Sequence, residues 1–269
     1  MYLADYHTHS DQSPDARHSM TELVQAAVSA GLDELCFTDH MQPFEWYTTQ
    51  PHAAHDWRRF REEFARAQAA AEGKLCLRLG LEIGDAHRAP EHIQRLLEGA
   101  PELDFVIGSV HLLSEAYDSA DLYLFDPKDD AAARAGMADY LEQVYGMANW
   151  GQFSVLGHLT LPLRYLNENR GFHLTFDGFE AEIEEILRIL IHKGLGIEVN
   201  TNRGNTPLPD EKWLRMYRRL GGEIVTLGTD AHTPNFVGCA IRERQELLKA
   251  CGFTHFCTFE RMRPIFHEL

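Results

Sequence analysis

Seven apolar runs of strand length alternate with helical patterns along the chain: Leu3 to Tyr6, Glu34 to Thr38, Leu75 to Ile83, Phe105 to Val110, Ser154 to Leu156, Gly196 to Val199 and Ile224 to Leu227. Such alternation specifies parallel β/α units and argues against separate helical and sheet domains. The first helix carries its own signals, with Ser19 and Glu22 spaced as a capping box, Leu23, Val24, Ala27 and Val28 as the apolar face, and Gly31 as the stop. Further helices are expected over about Asp56 to Glu72, Pro90 to Leu97, Asp129 to Trp150, Phe179 to His192 and Val237 to Ala250. Ser114 to Lys128 reads as a loop, and a short strand is expected around Phe256 to Thr258. No linker, low-complexity tract or fixed-period repeat interrupts the 269 residues, so the expectation is a single α/β domain over residues 1–269, closed as a barrel.

The chain has 15 histidines, and many of them follow strands. In Asp5-Tyr6-His7-Thr8-His9 the two imidazoles lie two apart on a strand and share a side, where they can chelate a metal. A lone His-x-His is equally the mark of a buried strand with two hydrogen-bonded histidines. The register across strands separates the two readings: His40, Glu82, His111, His158, and then Asp230 and His232 each stand at or near a strand's end. In a parallel barrel those ends converge on one face, and packing alone gives no reason for the repetition. Imidazole nitrogen with carboxylate oxygen suits zinc, manganese or iron. At about three protein ligands per ion, the set is enough for two or three divalent ions, with Glu82 able to bridge.

Bulk properties narrow the function. Acidic residues number 41 against 25 basic, a formal charge of −16, and no Lys/Arg run exists to follow a phosphate backbone, so nonspecific nucleic-acid binding is disfavoured. The five cysteines are scattered and lack Cys-x-x-Cys spacing, as expected of reduced thiols in a cytoplasmic protein. No apolar run approaches the length of a membrane span, and no secretory leader is evident. His52 and His55 fall with Trp46 and Tyr47 in the loop after the second strand; they read as a solvated loop or as lining of a substrate pocket.

Seven ordered motifs, Asp5-Tyr6-His7-Thr8-His9-Ser10, Phe37-Thr38-Asp39-His40, Gly80-Leu81-Glu82, Ile107-Gly108-Ser109-Val110-His111, Gly157-His158, Glu198-Val199-Asn200-Thr201 and Gly228-Thr229-Asp230-Ala231-His232, run over nearly the whole chain. In them the sequence resembles the polymerase and histidinol phosphatase (PHP) superfamily. The resemblance implies a distorted (β/α)7 barrel, TIM-like in outline, with a trinuclear metal site. One ion would take His7, His9, Glu82 and Asp230; a second Glu82, His111 and His158; a third Asp15, His40 and His232. Many members have His where Asp15 stands, and Ser13-Pro14-Asp15 is similar to the histidinol-phosphatase branch; Asp15 is otherwise a turn residue after Pro14.

A water bridging two divalent ions loses its proton near neutral pH and becomes a nucleophile, while the ions neutralise charge on phosphoryl oxygens. The expected activity is therefore a metal-dependent phosphomonoesterase acting on a small phosphorylated substrate, with L-histidinol phosphate implied by the resemblance. Asp230 is a candidate both as ligand and as proton acceptor from the attacking water. Arg164 and Arg203 follow strand ends and can offer two-pronged contacts to phosphate, although each is as readily a surface ion pair. Similarity of Gly157 to Tyr165 to the phosphatase branch favours Arg164. The alternatives are a PHP phosphoesterase acting on nucleotides or nucleic-acid ends, and an amidohydrolase-type metal hydrolase.

Overall fold

A computed structural model describes residues 1–45 and 50–269, so Trp46 and Tyr47 lie outside the described residues. Strands β1 (Ala4–Thr8), β2 (Glu34–Phe37), β3 (His40–Met41), β4 (Cys76–Gly84), β5 (Phe105–Ser109), β6 (Val155–Leu156), β7 (Gly196–Asn200) and β8 (Val225–Gly228) form one sheet. Its order is β1-β2-β4-β5-β6-β7-β8, parallel throughout. The two-residue β3 also pairs with β4 in parallel, continuing β2 after a break at Thr38-Asp39. The outcome is the expected seven-stranded barrel with one strand broken. The seam between β1 and β8 carries a single bridge, Thr8 to Ala231, supplemented by the His9 N–H to Ala231 C=O bond at 2.9 Å and the Asp230 N–H to His7 C=O bond at 2.8 Å. That makes the barrel nearly closed, with the seam at the first histidine motif.

Among the described residues seven α-helices pack around the sheet: α1 (Met20–Ala30), α2 (Trp57–Ala71), α3 (Pro90–Leu96), α4 (Asp130–Trp150), α5 (Glu180–His192), α6 (Glu211–Arg219) and α7 (Ile241–Ala250). The capping box forms as expected, the Ser19 hydroxyl accepting from the Glu22 N–H while the Glu22 carboxylate accepts from the Ser19 N–H, and Gly31 ends α1 at φ +72°. Helix α6 is not anticipated by the sequence reading, because Glu211, Lys212, Arg215, Arg218 and Arg219 mask the face that buries Trp213, Leu214, Met216 and Tyr217. The last helix begins at Ile241 and not Val237, since Gly238 at φ +74° and Ala240 at φ +59° hold left-handed backbone before it. The expected final strand is half of a hairpin, β9 (His255–Glu260) with β10 (Arg263–Glu268). This hairpin covers the N-terminal ends of the strands: the Tyr6 hydroxyl accepts the Phe259 N–H at 2.8 Å, and Met262 donates to the Asp104 C=O at 2.8 Å. One mouth of the barrel is thus occupied, which leaves the C-terminal ends of the strands as the open face. Among the described residues no helix is long and apolar enough to cross a membrane.

His55 lies in the loop before α2 as expected, but half-buried and not solvated. Its ring lies 4.2 Å from that of Trp57 and 5.4 Å from that of Phe60, and burial, aided by nearby His52, pushes its pKa down to about 4. The loss of hydration on burial outweighs what the flanking rings return to an imidazolium. His52 pairs with Glu45 at 3.1 Å.

Candidate metal centre

The strand ends bring eight of the nine expected ligands around one buried carboxylate or its neighbours, and the ninth, Asp15, reaches them from the loop after β1. Glu82 lies in register with His40 on the adjacent β3 and is fully buried. Its Oε2 faces His7 Nε2 at 3.2 Å, His9 Nε2 at 3.5 Å and His40 Nδ1 at 3.0 Å. Its Oε1 faces His111 Nε2 at 3.2 Å and His158 Nε2 at 2.9 Å. Asp230 Oδ1 stands 3.6 Å from His7 Nε2 and 3.4 Å from His9 Nε2. Asp15 Oδ2 meets His232 Nε2 at 2.9 Å and His40 Nε2 at 3.6 Å.

These separations fit shared ions. Ligand atoms about 2.0–2.1 Å from a tetrahedral cation stand about 3.3 Å from one another, longer than most direct N–H···O bonds. The His7 and His9 Nε2 atoms and Glu82 Oε2 are also buried without a hydrogen-bond partner, a costly arrangement for polar atoms that a cation between them would relieve. Burial alone would raise the Glu82 carboxyl, but the imidazoles of His7, His40 and His111 outweigh it and hold its pKa well below the usual range. His9 is the opposite case: burial, reinforced by His232 and His40, holds its pKa well below normal and leaves a neutral ring, the form that ligates. Among the described residues four groups of His, Asp and Glu donor atoms lie close enough together to hold a divalent ion, and they draw on every expected ligand except Asp15.

A second tier of buried carboxylates positions the first. Glu198 Oε1 bonds His7 Nδ1 at 2.6 Å, and its Oε2 accepts the His158 N–H at 2.8 Å, so one side chain orients two imidazole-bearing residues. Asp5 accepts from the Thr229 N–H at 2.9 Å, its hydroxyl at 2.6 Å and the Gly238 N–H at 2.9 Å, pinning the loop that carries Asp230. Asp85 accepts the His111 N–H at 3.2 Å. In the sequence Glu198 belongs to a motif without an assigned role; its one signal is a carboxylate two residues before Asn200 inside an otherwise apolar strand. Asp230 itself sits at φ +57° and His158 at φ +23°, strained conformations of the kind that gather at functional sites.

The two arginines part company. Arg164 is buried and donates from Nη1 to Asp230 Oδ2 at 2.5 Å, from Nη2 to Asn200 Oδ1 at 2.8 Å and from Nε to Asn202 Oδ1 at 2.8 Å. Three of its five N–H groups are thereby used and two remain for a ligand. Burial disfavours its charge, but Asp230 more than compensates and the guanidinium stays charged. Arg203 is exposed at the rim, its guanidinium 5.1 Å above the Phe236 ring. Both line a cavity of about 440 Å³ whose floor is the His/Glu cluster and whose outer wall includes Asp121, Tyr123, Tyr165 and Glu168. Phe44, in the loop after β3, packs beneath the Arg88 guanidinium at 5.7 Å.

Replacing Asp15 by Ala isolates the weakest-held corner. Asp15 is the most exposed of the nine, and its carboxyl is held below normal, against burial, by bonds to His232 and His40. The expected result is loss of one ion per chain by elemental analysis with the ions around Glu82 retained; unchanged stoichiometry removes Asp15 from the site.

Comparisons with known proteins point to one family. A model of the PHP domain family matches residues 5–202. A histidinol-phosphatase of Lactococcus lactis is 31% identical over 268 residues, 98% of this chain and 96% of the relative. A Deinococcus radiodurans protein named probable histidinol-phosphatase is 32% identical over 275 residues, 97% of this chain and 99% of its own. The crystal structure of the Lactococcus lactis histidinol phosphate phosphatase, complexed with zinc, L-histidinol and phosphate, superposes with a TM-score of 0.80 at 28% identity and covers 98% of each chain.

Proposed function

The chain belongs to the PHP domain family, and on that premise we propose that it is a metal-dependent phosphomonoesterase hydrolysing L-histidinol phosphate to L-histidinol and phosphate. The observation that carries the reading is the Glu82 carboxylate ringed by five imidazoles at the floor of the cavity. In this reading His7, His9, Glu82 and Asp230, then Glu82, His111 and His158, and then Asp15, His40 and His232 would hold two or three divalent ions, zinc, manganese or iron. Bound there, they supply a water acidic enough to deprotonate near neutral pH and neutralise charge on phosphoryl oxygens.

The protein's own groups do the rest. The two uncommitted N–H groups of Arg164 bind phosphoryl oxygens beside the cluster, and Arg203 at the rim draws the anion into an acidic protein. Asp230 is fixed from both sides, by Arg164 at Oδ2 and the imidazoles at Oδ1, and despite burial its carboxyl is held well below the normal range by Arg164 and His7. That favours a ligand over a proton acceptor. The Asp121 and Glu168 carboxylates with the Tyr123 and Tyr165 rings give the outer wall the character to receive a cationic, imidazole-bearing alcohol and to repel a polyanion. Five free cysteines accord with a cytoplasmic setting.

Phosphate release from L-histidinol phosphate by zinc- or manganese-loaded protein, with one L-histidinol per phosphate, is the direct test. Hydrolysis of nucleotides with no action on L-histidinol phosphate would overturn the substrate assignment. Arg164→Ala is expected to raise KM and lower kcat together, with kcat/KM falling on the order of 10²-fold, because it removes a phosphate contact and frees the Asp230 carboxylate. An unchanged KM would remove the phosphate contact from its role.

A further inference from the structure

The Ser13 hydroxyl touches two expected ligands at once. It lies 2.7 Å from Asp39 Oδ1, 3.0 Å from the His40 backbone nitrogen and 3.2 Å from His9 Nδ1, and Ser13 is buried. A hydroxyl has one proton to give and two lone pairs to receive with. The Asp39 carboxylate already accepts the Ser10 N–H at 2.6 Å and the Ser10 hydroxyl at 2.8 Å, so toward Ser13 it is again the acceptor. The His40 N–H can only donate. The Ser13 proton therefore goes to Asp39, one lone pair takes the His40 N–H, and the other is left to take a proton from His9 Nδ1.

We infer that Ser13, held by Asp39, is a positioning residue that fixes His9 as its Nδ1–H tautomer and seats His40 at the same time. A neutral ring protonated on Nδ1 turns a bare lone pair on Nε2 toward Glu82 Oε2 and Asp230 Oδ1, at 3.5 and 3.4 Å. Two carboxylate oxygens and a nitrogen lone pair repel one another unless a cation lies between them, so the hydroxyl predisposes this corner for metal. The same atom couples two ions of the reading above, because His9 belongs to one ligand set and His40 to another. The inference rests on that metal reading for its consequence, although not for the tautomer itself.

The tautomer is read by long-range proton–nitrogen correlation NMR on metal-free protein. In the wild type the His9 proton is expected on Nδ1; a proton on Nε2 overturns the inference whatever any variant does. Ser13→Ala should show the Nε2–H form and should bind zinc about 10- to 100-fold more weakly in competition with a chromophoric chelator. Ser13→Thr keeps the hydroxyl and should restore both. Wild-type tautomer and wild-type zinc affinity in a folded Ser13→Ala protein would also overturn it. If the wild type binds no zinc at all, the metal reading falls, while the His9 signal still decides what Ser13 does.

Discussion

Glu82→Gln is expected to abolish turnover, with kcat lowered at least about 10³-fold, and to strip the protein of most of its metal. The substitution preserves shape and removes charge. In the native site five imidazole nitrogens lie 2.9 to 3.5 Å from the two carboxylate oxygens, each oxygen serving a different side of the cluster. A carboxylate can bridge two cations because both oxygens carry negative charge. A carboxamide offers one weak oxygen, and its NH₂ group points donors at the bare nitrogens needed for ligation. Two ligand sets lose their common member, so a defect larger than that of any single histidine follows. Elemental analysis beside phosphate release checks it: a Glu82→Gln protein with full metal content would show that Glu82 is no bridge, and full activity would remove the cluster from the chemistry.

How much of this was legible in the sequence follows from where each partner lies. The strand ends and helix caps could be read because their signals are local: the Ser19 and Glu22 pair sits within four residues, and the histidines mark the ends of runs that identify themselves as strands. The direction of the ligands was legible as well, since parallel strands present their ends to one face whatever the loops do. The partnerships were not. Glu198 meets His7 across 191 residues and Asp5 meets Thr229 across 224, and nothing in either neighbourhood announces the other. Arg164 was legible as a candidate cation near a strand end, whereas its fixation by Asp230, Asn200 and Asn202 depends on a short π-helical stretch, Arg164–Asn169, that has no periodic signature. Helix α6 was hidden by composition, its buried residues being interleaved with five charges.

The most demanding test of that second tier is a single methyl group. Gly228→Ala is expected to lower kcat/KM on the order of 10³-fold although residue 228 bears no functional atom. A Cβ built on Gly228 would sit well inside contact distance of Glu198 Oε1 and His7 Cβ and 3.3 Å from Glu198 Cδ. Neither side chain has anywhere to go: both are buried, and the Glu198 oxygens are committed to His7 Nδ1 and to the His158 backbone. Overpacking of this kind costs about 1–3 kcal/mol of stability. The larger effect falls on the site. Losing a carboxylate that orients a metal-binding imidazole costs about 10- to 100-fold, and moving a ligand by a fraction of an ångström adds about as much again. A modest fall in Tm together with a collapse in zinc affinity and turnover is the expected pattern. A drop in Tm with normal turnover would mean that the strand shifts as a body and carries His7 and Glu198 with it, and the tight packing at this position would then serve the barrel and not its metal centre.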